Sequence, residues 1–129
     1  MLPGICDIIG AGIAGAGGSL TATISHDTIS KTVGGTSGAP RTVTTATVTV
    51  TPSGGAGGYT YAWSRIEGDA SITASAPTAN ATTFSATLDP DAYVTARFEC
   101  VVTDVSGATV AKQVDVELQY NFIDTGGTL

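Results

Sequence analysis

Any catalytic or metal chemistry in this 129-residue chain must be built from few parts: one histidine, two cysteines and eleven acidic residues. His26 stands between Ser25 and Asp27. Serine-type hydrolysis needs an imidazole that takes a hydroxyl proton and is oriented by a carboxylate, and cysteine-type catalysis would need His26 beside Cys100. His26 reads instead as an exposed residue where a first strand begins, far in sequence from Cys100. A reactive cysteine needs an electropositive, partly exposed setting. Cys100, between Phe98 and Val102 on an apolar face, reads as a buried and inert thiol. Asp89, Asp91 and Asp104 could gather at one end of a domain and offer oxygens to calcium, which takes six to eight of them. Turn chemistry is the simpler reading, since Asp bonds its own backbone and Pro90 fixes a turn dihedral. A glycosidase pair needs a cleft and one carboxyl with a raised pKa, and nothing in the pattern suggests a cleft. The run Gly54-Gly55-Ala56-Gly57-Gly58 lacks the Lys-Ser/Thr ending of a phosphate loop and joins two strands rather than opening a helix. Tyr59, Tyr61 and Tyr93 could stack on a sugar, but their places suit core and corners. The expectation is therefore a protein that is not an enzyme, with no catalytic residue, no metal and no cofactor.

Charge and composition exclude other classes. Formal net charge is −6, and the five basic residues (Lys31, Arg41, Arg65, Arg97, Lys112) are scattered. Phosphate recognition needs a basic stripe, so no nucleic-acid partner is expected. Charged residues make up only 12%, against about a quarter in ordinary domains. Thr, Ala, Gly and Ser take their place, which suits short strands and glycine-rich turns. Cys6 and Cys100 form no metal spacing or redox motif, and could pair only if the N-terminal stretch folded back. The apolar opening lacks a basic region and is interrupted by Asp7, so it is a poor signal peptide. The run Ala11–Gly18 is too short and glycine-rich to span a bilayer, and no membrane partner is expected.

The elements behind these residues change character near residue 22. Residues 1–22 read as an extended Gly/Ala-rich arm, expensive to order alone, yet carrying Ile5, Ile8, Ile9, Ile13 and Leu20. Those five are the candidate docking residues. Beyond them the chain alternates. Thr42–Thr51 reads as one strand with Ala46, Val48 and Val50 on its inner face and Thr45 on the outer. Tyr59–Ile66 follows, then a weak strand at Ser71–Ser75, then Thr82–Leu88. Tyr93–Thr103 turns Ala96, Phe98, Cys100 and Val102 inward; Val110–Tyr120 does the same with Val114, Val116, Leu118 and Tyr120. Short strands with regular turn signals predict an all-β, two-sheet antiparallel sandwich over 23–122, with a C-terminal tail at 123–129. Its expected core is Val48, Val50, Tyr61, Trp63, Phe84, Leu88, Phe98, Cys100, Val102, Val114, Val116 and Leu118.

Over residues 25–122 this pattern resembles the immunoglobulin-like superfamily. The carriers are Tyr61-Ala62-Trp63, then Ala96-x-Phe98-x-Cys100-x-Val102-x-Asp104 with Gly107, then Val114-x-Val116-x-Leu118. Trp63, Phe98 and Cys100 form the core signature. The texture is similar to Ig-like and PKD-like domains of tailed-bacteriophage virion proteins and bacterial surface proteins. Two departures separate it from antibody-type domains. The partner cysteine is missing, with Ala46, Val48 and Val50 where it would stand. Phe98 also lacks the hydroxyl of a tyrosine corner. The resemblance implies a structural protein of a phage particle, made in the host cytoplasm and found in the virion. It would decorate capsid or tail, present in several copies or as a homo-oligomer, with other virion subunits as partners. The alternative it implies is an adhesion-type module recognising carbohydrate or protein on a bacterial surface.

Overall fold

The structure, a computed structural model, describes residues 18–123. Ten strands run through it: β1 (Thr21–Ile24), β2 (Thr28–Gly35), β3 (Arg41–Thr44), β4 (Val48–Ser53), β5 (Thr60–Gly68), β6 (Thr73–Ala74), β7 (Ala81–Thr82), β8 (Phe84–Leu88), β9 (Tyr93–Thr103) and β10 (Thr109–Phe122). Strands β2, β10, β9 and β5 form one four-stranded sheet in that order. The facing layer is two short ladders end to end, β1-β4-β7 and β3-β8-β6. All pairs are antiparallel except one: β2 lies parallel to β10, from Thr28 beside Asp115 to Gly35 beside Phe122. The residues assigned to the arm fall mostly outside the described part, although β1 already begins at Thr21.

Period-two alternation builds the two longest strands. Ala96, Phe98, Cys100 and Val102 on β9, and Val114, Val116, Leu118 and Tyr120 on β10, all point into the core. A one-residue slip would turn each set into solvent, so the hydrophobic pattern fixes the register of Val110 with Val102 and Val114 with Phe98. Trp63 sits directly opposite Cys100 across the β5–β9 pair. Its ring meets Phe84 edge-on with centroids 5.7 Å apart, and Phe84 in turn lies 4.6 Å from Phe98. The indole N–H donates to the Ala79 carbonyl at 2.8 Å, so burial leaves no orphan donor. Each such large apolar side chain contributes roughly 1.5–3 kcal/mol when fully buried.

Several expectations are corrected. Thr42–Thr51 is not one strand: it breaks between β3 and β4, and the inward parity changes there. Val43 and Thr45 are buried, Ala46 is exposed, and Val48 and Val50 are buried again. At the break Thr45 takes over the ladder. Its N–H donates to the Phe84 carbonyl at 2.9 Å, and its Oγ1 accepts from the Phe84 N–H at 3.1 Å. A side-chain oxygen thus satisfies a buried donor that a continuous strand would have met with a carbonyl. Tyr61 packs at the core margin and is only half-buried, whereas Ile72 and Val43 are core residues. Tyr93 is 56% exposed, neither core nor corner. His26 does not begin a first strand; it lies in the turn between β1 and β2.

Candidate functional site

The three aspartates weighed as calcium ligands, and read more simply as turn residues, do not meet. Asp89 and Asp91 precede β9 and Asp104 follows it. Eleven extended residues separate the two ends, on the order of 35 Å at the usual rise per residue. Each end is a turn. Asp91 takes a left-handed backbone (φ 63°), and its Oδ1 accepts from the Phe122 N–H at 3.0 Å, tying down the last strand. No group of three or more potential metal ligands gathers among the described residues.

Asp104 is the most constrained polar group in the fold. It is buried, at 5% exposure. Its Oδ1 accepts from the Ser106 N–H (2.8 Å), the Ser106 hydroxyl (2.6 Å) and the Ala108 N–H (3.1 Å). Its Oδ2 accepts from the Ala56 N–H of the neighbouring β4–β5 loop at 2.9 Å. The Ser106 hydroxyl, followed by the Ala56 N–H, holds the carboxyl down at about 2, below the ordinary 3.8. The glycine run between β4 and β5 is therefore anchored. Tyr59 closes the same loop by donating its hydroxyl to the Gly54 carbonyl at 2.6 Å.

His26 does reach a hydroxyl: Ser25 Oγ and His26 Nδ1 are 2.8 Å apart. The same Oγ accepts from the Thr49 N–H at 2.9 Å, and the contact is between chain neighbours in an exposed turn. It is not joined by Cys100, which is fully buried opposite Trp63. Burial pushes the Cys100 thiol up to about 11 from 9.0. A raised thiol pKa favours the folded state up to pH 9, and that contribution is lost as pH rises through 11. In a Cys6→Ser background, Cys100 should stay unlabelled by iodoacetamide at pH 8 for hours and react within minutes in urea. Rapid native labelling would show that the thiol is reachable.

An open surface cleft of about 270 Å³ lies at the other end of β5 and β9, lined by Glu67, Gly68, Arg97, Asp115 and Glu117 among others. Arg97 bridges the cleft wall, donating to Asp115 at 2.8 Å and to Glu67 at 3.0 Å. The Asp115 hydrogen bond and then its charge raise the Arg97 pKa further. All three side chains are substantially exposed, so the pairs are screened surface contacts.

Of the docking candidates, Ile5, Ile8, Ile9 and Ile13 lie outside the described residues, as does Cys6. Leu20 is half-buried, packed over Gly55 beside Asp104. The Gly55 N–H donates to the Gly18 carbonyl at 2.9 Å. The N-terminal segment thus enters at the pole formed by the β4–β5 loop and the β9–β10 hairpin. The described chain ends at the opposite pole, where the Ile123 N–H donates to the Gly35 carbonyl at 2.7 Å. No single position signalled this arrangement, although a turn aspartate facing a five-residue run with four glycines was the available hint.

Comparison with known proteins bears on the fold. Among solved structures, the chain is similar to an ASH/PapD-like domain (PapD-like domain 7) of human CEP192, with a TM-score of 0.53 at 8% identity, over 80% of this chain and 87% of that one. The fold is an immunoglobulin-like β-sandwich. No family model matches the chain, and no curated protein matches it.

Proposed function

We propose that the chain is a non-enzymatic structural protein of a bacteriophage particle, displaying an Ig-like sandwich from the capsid or tail surface. One observation carries the reading: an isoleucine-bearing N-terminal segment is joined to a sandwich whose large exposed apolar residues, among those described, are spread over both poles and the β5 edge. The large exposed apolar residues are Ile66, Tyr93, Val105 and Ile123. Val105 lies beyond one end of β9 and Tyr93 at the other; Ile123 lies four residues past Gln119, the partner of Tyr93; Ile66 rides a bulge on β5. Ile5, Ile8, Ile9 and Ile13 would then find their burial on a neighbouring subunit, which offsets the entropy of ordering a glycine-rich segment. Deleting residues 2–17 spares the Gly18–Leu20 contacts. It should leave a sandwich melting within a few degrees of the full chain that no longer sediments with particles. Full-occupancy incorporation of the truncated chain would sink the proposal. The second reading, an adhesion-type module, draws support from Tyr93, exposed beside the Asp89–Asp91 turn. Glycan or cell binding by the truncated sandwich would favour it.

A further inference from the structure

We propose that the Asp104 carboxylate is a latch that, through the glycine loop, holds Gly18–Leu20, the residues leading into β1, rigid against the sandwich.

Beyond the Tyr59–Gly54 hydrogen bond, the loop it holds makes few bonds of its own. Gly54, Gly55, Gly57 and Gly58 all take positive φ, between 62° and 76°, a conformation open to glycine at a high entropic cost. Contacts with the β9–β10 hairpin supply the order. The Val105 N–H donates to the Gly57 carbonyl at 3.0 Å. A Cβ on Gly58 would fall 2.2 Å from Val105 Cγ1, so the valine occupies that space. A Cβ on Gly55 would fall 2.6 Å from Asp104 Oδ2 and 3.1 Å from Leu20 Cβ. Carboxylate, glycine and leucine are therefore stacked with no gap. Oδ2 holds Ala56, the adjacent Gly55 N–H holds Gly18, and Leu20 closes over the top. The route from Asp104 to the root of the N-terminal segment is two hydrogen bonds and one packing contact long.

The latch depends on charge. Only an ionised carboxylate can accept four hydrogen bonds without presenting a proton to one of the donors. No charged side chain contributes to the carboxyl's low value; its causes are Ser106, Ala56 and Ala108. Tyr59 is the titratable group on the loop, and its hydroxyl is engaged on Gly54. A depressed carboxyl pKa stabilises the fold above the ordinary 3.8, and the contribution is lost as pH falls through about 2. The latch is thus closed at every ordinary pH and opens only in strong acid or by mutation.

Asp104→Asn in the full chain tests this by NMR. An amide nitrogen must then face either Ala56 or the Ser106–Ala108 donors, and one side is released. Amide exchange at Gly55 and Ala56 should rise by about tenfold or more while Val102 and Val116 keep their protection. The ¹⁵N–¹H NOE of Ser19 and Leu20 should fall toward that of a free tail. A folded variant in which Gly55 and Ala56 exchange as in the parent, or Ser19 and Leu20 stay as rigid, overturns the proposal. If the variant does not fold, Ser106→Ala decides. The Ala56 amide shift should titrate at a higher pH than in the parent, because the first of the carboxyl's supports is gone. The ¹⁵N–¹H NOE of Ser19 and Leu20 should fall at that same midpoint, and NOE values that stay unchanged across it overturn the latch.

Discussion

Replacing Phe84 by alanine is expected to destabilise the domain by about 3–5 kcal/mol, a large share of the roughly 5–15 kcal/mol that holds such domains together. Phe84 is fully buried and sits between Trp63 and Phe98, touching one ring edge-on and the other at a tilt. Removing it opens a cavity lined by two rings that cannot collapse inward, because Trp63 is pinned through its indole to Ala79 and Phe98 by its place in β9. Cys100 is free, so no disulfide in the described residues restrains the two layers while they loosen. In urea the midpoint should fall by on the order of 2 M with little change in slope. Phe84→Leu, which keeps most of the volume, should cost about 1–1.5 kcal/mol. A shift under about 0.5 M for the alanine variant would mean the interlayer contact matters far less than its geometry indicates.

Gly68→Ala should be comparably damaging for a different reason. Arg65 pairs with Phe98 and Glu67 with Arg97, so β5 carries an extra residue, Ile66, in a bulge. Pairing resumes at Glu67, and the next residue, Gly68, takes φ 94° close against β9. A Cβ there would lie 2.4 Å from the Thr95 carbonyl oxygen and 2.5 Å from Ala96 Cα. Both are backbone atoms of a central strand and cannot yield without breaking the β5–β9 ladder. Gly107 supplies the control: its φ is 93°, but no atom lies within 4 Å of a Cβ built on it. Gly107→Ala should therefore cost only the conformational term, about 1 kcal/mol. Gly68→Ala should cost about 3 kcal/mol or more and expose the amides of Asp69 and Ile72 to exchange. Equal losses at the two glycines would show that backbone strain, not the close approach of β9, governs Gly68.

The elements legible in the sequence were those whose pattern is local. On β9 and β10 the alternation placed Phe98, Cys100, Val114, Val116 and Leu118 inward, and all are buried. Trp63 and Phe84 were readable as core for the same reason. The break at Thr45 was missed because every residue from Thr42 to Thr51 suits a strand. The available signal was the odd spacing of Val43 and Val48, which cannot share a face of an uninterrupted strand. The parallel pairing of β2 with β10 had no local signal, since it joins residues more than eighty positions apart.

The aspartates mark the boundary most sharply. The turn chemistry of Asp104 was written in its neighbours, because an Asp before Ser106-Gly107 bonds backbone within a few residues, whereas the Asp91 carboxylate reaches the Phe122 N–H on the last strand. Their separation to opposite poles required the length of β9, and the second oxygen of Asp104 required a loop forty-eight residues away. Side-chain period and turn type depend on adjacent residues and so survive in any linear reading. Which loop a buried carboxylate reaches, and at which pole the N-terminal segment enters, depend on how two sheets stack, and nothing local encodes that.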